Sequence, residues 1–159
     1  MVVKKEVKIN FSQAIKQVER ISAEVGFLSS ATYENGEKVA MVAAQNEYGN
    51  SSKHIPPRPF MRPAKDKNAT AWNETFQRAI KQGLRSGNLK SAFDIVSLQV
   101  VGDIKKSIVA VTKPALKPAT VEARLKGKKQ GKGVSLSVAK PLIDSGYMLN
   151  SINYEVKEN

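Results

Sequence analysis

Cysteine is missing from all 159 residues, and histidine and tryptophan each occur once. The first absence excludes disulfides, thiolate nucleophiles and cysteine-based zinc or iron–sulfur sites. The second leaves His54 as the sole imidazole, with no serine, cysteine or metal-ligand partner at a recognised spacing. It is expected to be exposed or locally packed, not catalytic. Long apolar runs are also lacking: none approaches the roughly 20 residues that span a bilayer, and the opening MVVKKEVKIN has no signal-peptide core. The expectation is a soluble protein of the cytoplasm with no membrane contact.

Acidic residues are in short supply. Fourteen Asp and Glu stand against 26 Lys and Arg, for a formal net charge of +12. Such a balance points to anionic partners without saying anything about fold. An apolar share of 41% supports a hydrophobic core, and the length is that of a single domain spanning 1–159.

Val3, Val7 and Ile9 alternate with lysines and suggest a short N-terminal strand. Phe11, Ala14, Ile15, Val18 and Ile21 follow helical spacing, which predicts a helix to about Glu24 closed by Gly26. FLSSATY and KVAMVAA flank Asn35-Gly36, a dipeptide suited to tight hairpins; the second stretch turns from strand to helix near Ala43 and ends at Gly49. Ala69, Trp72, Phe76, Ile80 and Leu84 predict a helix of about four turns, with Asn68 or Thr70 as its cap. Phe93, Val96, Val100, Ile104 and Ile108 predict a long one. From Thr112 to Ser135 seven Lys or Arg face one Glu. That stretch, within 113–138, reads as a mobile basic loop with a short helix near Thr120 to Leu125. PLIDSGYMLNSINYEVK then gives an Asp-Ser-Gly turn, a short helix and a closing strand.

No group with evident chemistry emerges. Glu34 with Glu37, and Asp94 with Asp103, are carboxylate pairs in a turn and on a periodic helix, where solvation or capping explains them better than hydrolysis across a cleft. GKKQGKG lacks the spacing of a phosphate-binding loop. Lys126, Lys128, Lys129 and Lys132 suit salt-sensitive, non-specific contact with nucleic acid, but no aromatic is interleaved to stack on bases. The densest segment is NEYGNSSKHIPPRPFMRPA. Pro56, Pro57, Pro59 and Pro63 stiffen it. Arg58 and Arg62 offer guanidinium forks around Phe60, which either anchors an interface or pins the loop to its own core.

AQNEYGNSSKHIPPRPFMRPA and PLIDSGYMLNSINYEV resemble the Asn-Glu-Tyr/Phe-Gly…Ile-Pro-x-Arg-Pro-Phe and Pro-Leu-x-Asp-Thr/Ser-Gly-x-Leu-x-x-Ser-Ile-x-Tyr signatures of a family. It comprises the small tail-completion and head–tail joining (neck, virion morphogenesis) proteins of long-tailed bacteriophages and prophages. KPALKPATVEARLKGK is similar to that family's Pro-Leu-x-x-x-Thr-x-x-x-Arg segment, departing from it at the second proline, Pro118. The blocks fall in the family's order between about Ala44 and Val156. The resemblance implies a non-enzymatic structural subunit of the virion, assembled in the host cytoplasm, with tail or connector subunits as partners. It also implies a homo-oligomeric ring, of which a hexamer is one form; separately, no cofactor or metal is expected. Its motif positions here are Asn46, Glu47, Tyr48, Gly49, Ile55, Pro56, Arg58, Pro59, Phe60, Asp144, Ser145, Gly146, Leu149, Ser151, Ile152 and Tyr154. Within it, Gly49 and Gly146 would permit turns, Asp144 would cap the helix after it, and Arg58 would bridge to Glu47 or to a neighbouring subunit.

The expected architecture is α+β: a small antiparallel sheet from the Asn35-Gly36 hairpin, the C-terminal strand and the N-terminal strand, packed against two long helices, with a mobile basic loop. A basic nucleic-acid-binding module is the alternative function.

Overall fold

The computed structural model describes residues 11–28, 30–129 and 139–158. The chain runs α1 (Phe11–Glu19), β1 (Ile21–Phe27), α2 (Val39–Tyr48), α3 (Met61–Ser86), α4 (Lys90–Ala110), α5 (Pro118–Lys129), α6 (Tyr147–Asn150) and β2 (Ile152–Glu158). The architecture is α+β, with a two-stranded antiparallel sheet and two long helices packed on each other.

The sheet is not built from the expected partners. β2 pairs with residues 21–27, from Ile21 opposite Glu158 to Phe27 opposite Ile152. The first helix therefore stops at Glu19, and Gly26 lies inside a strand rather than closing a helix. Val25 and Phe27 face Tyr154 and Ile152 across the ladder, and all four pack on or within the core. Burying them requires an extended strand, and this overrides the helical spacing carried on to Ile21. The Asn35-Gly36 hairpin shrinks to one bridge, Thr32 with Lys38, closed by Tyr33 N–H to Glu37 O at 2.9 Å. Helix begins at once with the fully buried Val39, not near Ala43. The N-terminal strand expected around Val3 to Ile9 lies outside the described residues.

α3 is 26 residues long, and its first turn is Met61, not Asn68 or Thr70. Pro63 sits in that first turn, where a missing N–H breaks no intrahelical bond. Asn68 is interior to the helix and donates to Ala64 O at 2.8 Å. α4 carries the predicted periodicity, with Val101, Ile104 and Ile108 buried against both strands, Phe60 and Ile143. The core thus gathers at the start of α3 and the end of α4. Beyond it the two helices pack mainly on each other, through an edge contact of Phe76 with Phe93 (5.0 Å between centroids) and Trp72 Nε1 donating to Asp103 at 2.9 Å. They form an arm. Within the stretch read as a mobile basic loop, Pro118–Lys129 is helical, a longer helix than Thr120 to Leu125.

At the tip of the arm, Gly87 takes a left-handed conformation (φ 75°), and its N–H and that of Asn88 both return to Gly83 O. Gly83 is helical, but a Cβ there would stand 2.8 Å from Asn88 O. In a helix, alanine normally gains about 1 kcal/mol over glycine. Gly83→Ala is expected to reverse that sign and cost about 1–3 kcal/mol, because backbone must move to admit the methyl group. Urea denaturation of the two proteins measures it; a more stable variant would show that the tip yields freely.

Candidate functional site

The proline-rich segment is a chain of turns that ends in a helix. Gly49 (φ 80°) turns away from α2, where a Cβ would press on Pro57 and Ile55 O at 3.0–3.1 Å. Asn50 and Ile55 then exchange two backbone bonds of 2.8 Å around a turn that leaves His54 exposed. From Pro56 the chain alternates, with Pro57 and Pro59 outward and Arg58 and Phe60 inward.

Glu47 is the pivot. Its carboxylate, on the last turn of α2 and 3% exposed, accepts the backbone N–H groups of Phe60 (2.6 Å), Met61 (2.9 Å) and Arg62 (3.2 Å). These are the otherwise unpaired donors of the α3 N-terminus, where helix dipole and negative charge attract. Arg62 completes the arrangement with Nε to the carboxylate at 3.0 Å and a further nitrogen to Glu47 O at 3.2 Å. Its guanidinium also lies 5.0 Å from the Tyr48 ring centre. Burial alone would raise the Glu47 pKa, but the three backbone donors and Arg62 outweigh it and hold the carboxyl below its ordinary value of 4.5. The partner of Glu47 is therefore Arg62, not Arg58.

Arg58 points elsewhere. It is 7% exposed, and it donates to the carbonyls of Pro114 (2.9 Å) and Ala115 (3.3 Å). Burial, followed by repulsion from Arg124, pulls its pKa below the ordinary arginine value. Arg124 on α5 donates in turn to the carbonyls of Lys140 (2.8 Å), Pro141 (3.3 Å) and Ile143 (3.0 Å), and reaches Asp144 at 3.5 Å. The three motif blocks are thus linked in series. Phe60 is fully buried, edge-on to Phe27; of its two candidate roles it fills the inward one. Asn46 also serves the framework, accepting Arg58 N–H at 2.6 Å and donating to Val42 O at 2.9 Å.

Asp144 does not cap the following helix. Ser145 Oγ accepts the Tyr147 N–H at 3.2 Å, Gly146 takes φ 81°, and the Asp144 side chain is 68% exposed. The turns at Tyr33–Glu37 and Asp144–Tyr147 face each other across an open hollow of about 1090 Å³ lined by Tyr33, Glu34, Glu37, Asp144 and Tyr147 among others. Glu34 and Glu37, expected to be unremarkable, are thereby joined by Asp144. Burial chiefly, and then Glu37, Tyr147 and Asp144, raise the Tyr33 pKa.

The lysine segment is only partly in view. Lys126 forms an ion pair with Glu122 at 2.9 Å, one helical turn away. Lys128 and Lys129 belong to α5, and Lys132 lies outside the described residues. Sequence reasoning passed over a second basic group. Between Glu74 and Asp94 there is no carboxylate, and Arg78, Lys81, Arg85 and Lys90 all stand exposed around the arm tip without an ion pair among the described residues. The missing acids were the signal.

Among the described residues no group of acids and histidine is placed to hold a metal ion, and no helix is long and apolar enough to cross a membrane. Comparison of the chain with family models, curated proteins and solved structures finds no match.

Glu47→Gln is expected to cost about 3 kcal/mol at neutral pH, because charged acceptor bonds at a helix terminus are lost from a buried site. The folded pKa is depressed, so this contribution is present above the unfolded carboxyl pKa and is lost as pH falls through the folded value. The stability gap between wild type and variant should therefore narrow in acid. Denaturation series at neutral pH and near pH 3 test it; a constant gap would show that shape, not charge, is what Glu47 supplies.

Proposed function

We propose that this protein is a structural subunit that completes a phage tail or joins it to the head, working through subunit interfaces and not through chemistry. The observation that carries the reading is the outer face of α2. Ala40, Met41, Ala44 and Tyr48 are exposed there, Met41 at 57% and Tyr48 at 69%, while Val39, Ala43 and Glu47 are buried on the other side. Glu47 is the helix's only charged residue, in a chain of which 25% is charged. An outer helix face that carries no charge and exposes Met and Tyr is one suited to being covered by a partner.

The resemblance to tail-completion and neck proteins supports the same reading, since its motif residues are spent on holding backbone. A framework tied by Glu47, Arg58 and Arg124 presents the α2 face in one orientation, which lowers the entropy lost on assembly. A ring of copies, formed in the host cytoplasm and carried into the virion, fits a contact that closes on itself by rotation.

Met41→Glu with Ala44→Glu places two good helix formers on this face and touches no framework residue. The variant should fold with a melting temperature within about 3 °C of wild type. It should fail to enter tails when added to a lysate that lacks the subunit, scored by electron microscopy. Incorporation equal to wild type would remove α2 as the interface and with it the main support for the reading.

A further inference from the structure

The arm and the hollow are opposite in charge and sit on different parts of the molecule. The arm tip carries Arg78, Lys81, Arg85 and Lys90, four exposed cations with no acid between Glu74 and Asp94. On α3, Arg78, Lys81 and Arg85 fall at i, i+3 and i+7, one stripe about 10 Å long. The tip is also far from the core: Arg85 lies 21 residues beyond the buried Ala64, about 30 Å along the helix axis. Among the described residues no acid pairs with it.

The hollow has the reverse character. Glu34, Glu37 and Asp144 line it, and among the described residues no cation does. Lys53 reaches Glu37 at 3.4 Å, and Arg124 reaches Asp144 at 3.5 Å although its guanidinium is mainly engaged with three carbonyls. Glu34 has no cationic partner among the described residues. The hollow is open and, at about 1090 Å³, at or above the usual volume of a small-molecule site.

We propose that the basic tip of the α3–α4 arm docks into the acid-lined hollow of a second copy of this chain. The inference deepens the structural-subunit reading and rests on it. Charge complementarity selects the occupant, and the arm's own surface separates a protein partner from nucleic acid. Ile95 and Leu98 on α4 are 44% and 58% exposed, apolar area that a protein covers and phosphates do not. Phe76 and Phe93 are stacked edge-on against each other and offer no platform for a base. Because tip and hollow are different surfaces, the contact is heterologous and repeats head to tail, closing into a ring when its rotation permits.

The test is a charge exchange. One variant carries Arg78→Glu, Lys81→Glu and Arg85→Glu; the other carries Glu34→Lys and Glu37→Lys. All five side chains are exposed or half-exposed and lie outside the core, and circular dichroism checks that both variants fold. Light scattering then follows mass against concentration at low salt and at about 1 M salt, where charges reach only about 3 Å. Wild type should associate at low salt and fall toward its monomer mass of 17.4 kDa at high salt. Each variant alone should associate at least tenfold more weakly, and an equimolar mixture should associate again, because acidic tips then meet basic hollows and basic tips meet acidic ones. Variants that associate like wild type, a mixture that does not recover, or a wild type that stays monomeric at every concentration would each overturn the contact. So would wild-type association unaffected by the arm variant while a short DNA duplex binds wild type and not that variant, which would assign the tip to nucleic acid. The α2 variant separates the two readings: if it is excluded from tails while the arm variant enters them, the arm contact fails and the structural role stands.

Discussion

A single carboxylate decides where the longest helix begins. The backbone donors at the start of α3 would be left unpaired in the interior without an acceptor, and Glu47 supplies one from the end of α2. Three consequences follow from that one contact. The segment between Gly49 and Phe60 must span a fixed gap, which prolines can do at low entropic cost. Phe60 is delivered into the core, where its carbonyl accepts the Ser107 hydroxyl at 2.7 Å and ties the start of α3 to α4. The arm is aimed by its base, where the start of α3 and the end of α4 meet in the core.

Glu47 joins two helix ends, and the arginines join loops. Arg58 and Arg124 are cations largely withdrawn from water, and each is satisfied by carbonyl oxygens instead of by a buried acid. Lys140 does the same, donating to Val109 O at 2.6 Å. Such contacts avoid desolvating a second charge, which is the main cost of a buried ion pair. Serving several carbonyls at once calls for a planar fork with several donors, so lysine would not replace Arg124, which serves three carbonyls and reaches a carboxylate. This explains why segments distant in sequence, around 58, 114, 124 and 141, form one connected framework.

Where apolar spacing was the whole signal, as along α4, the sequence was legible. Asn35-Gly36 and the closing PLIDSGYMLNSINYEV also declared their turns, because positive φ demands particular residues. β1 was not legible. Ile15, Val18 and Ile21 continue a helical rhythm, and what ends it is a pairing with residues more than a hundred positions away. The start of α3 was hidden for a different reason: its cap is a side chain from another helix, so no Ser, Thr, Asp or Asn marks the place. The resemblance drew attention to Glu47, Arg58 and Phe60, all three buried here, but not to their partners, since a motif records positions and not the direction a side chain takes.

The same distinction applies to charge. A net of +12 invites attention to the richest lysine run, yet cations differ in what is left of them after folding. Arg58, Arg124 and Lys140 are committed to carbonyls, Arg62 to Glu47, and Lys126 to its neighbour Glu122. At the arm tip no cation is paired with an acid among the described residues, because the nearest acids in sequence, Glu74 and Asp94, lie below it on the two helices. An unbalanced positive field therefore stands at the end of an arm about 30 Å from the core. A field placed there is remote from the framework it could stabilise. Its position favours an encounter with another molecule, and the acid-lined hollow gives every copy a complementary surface to meet.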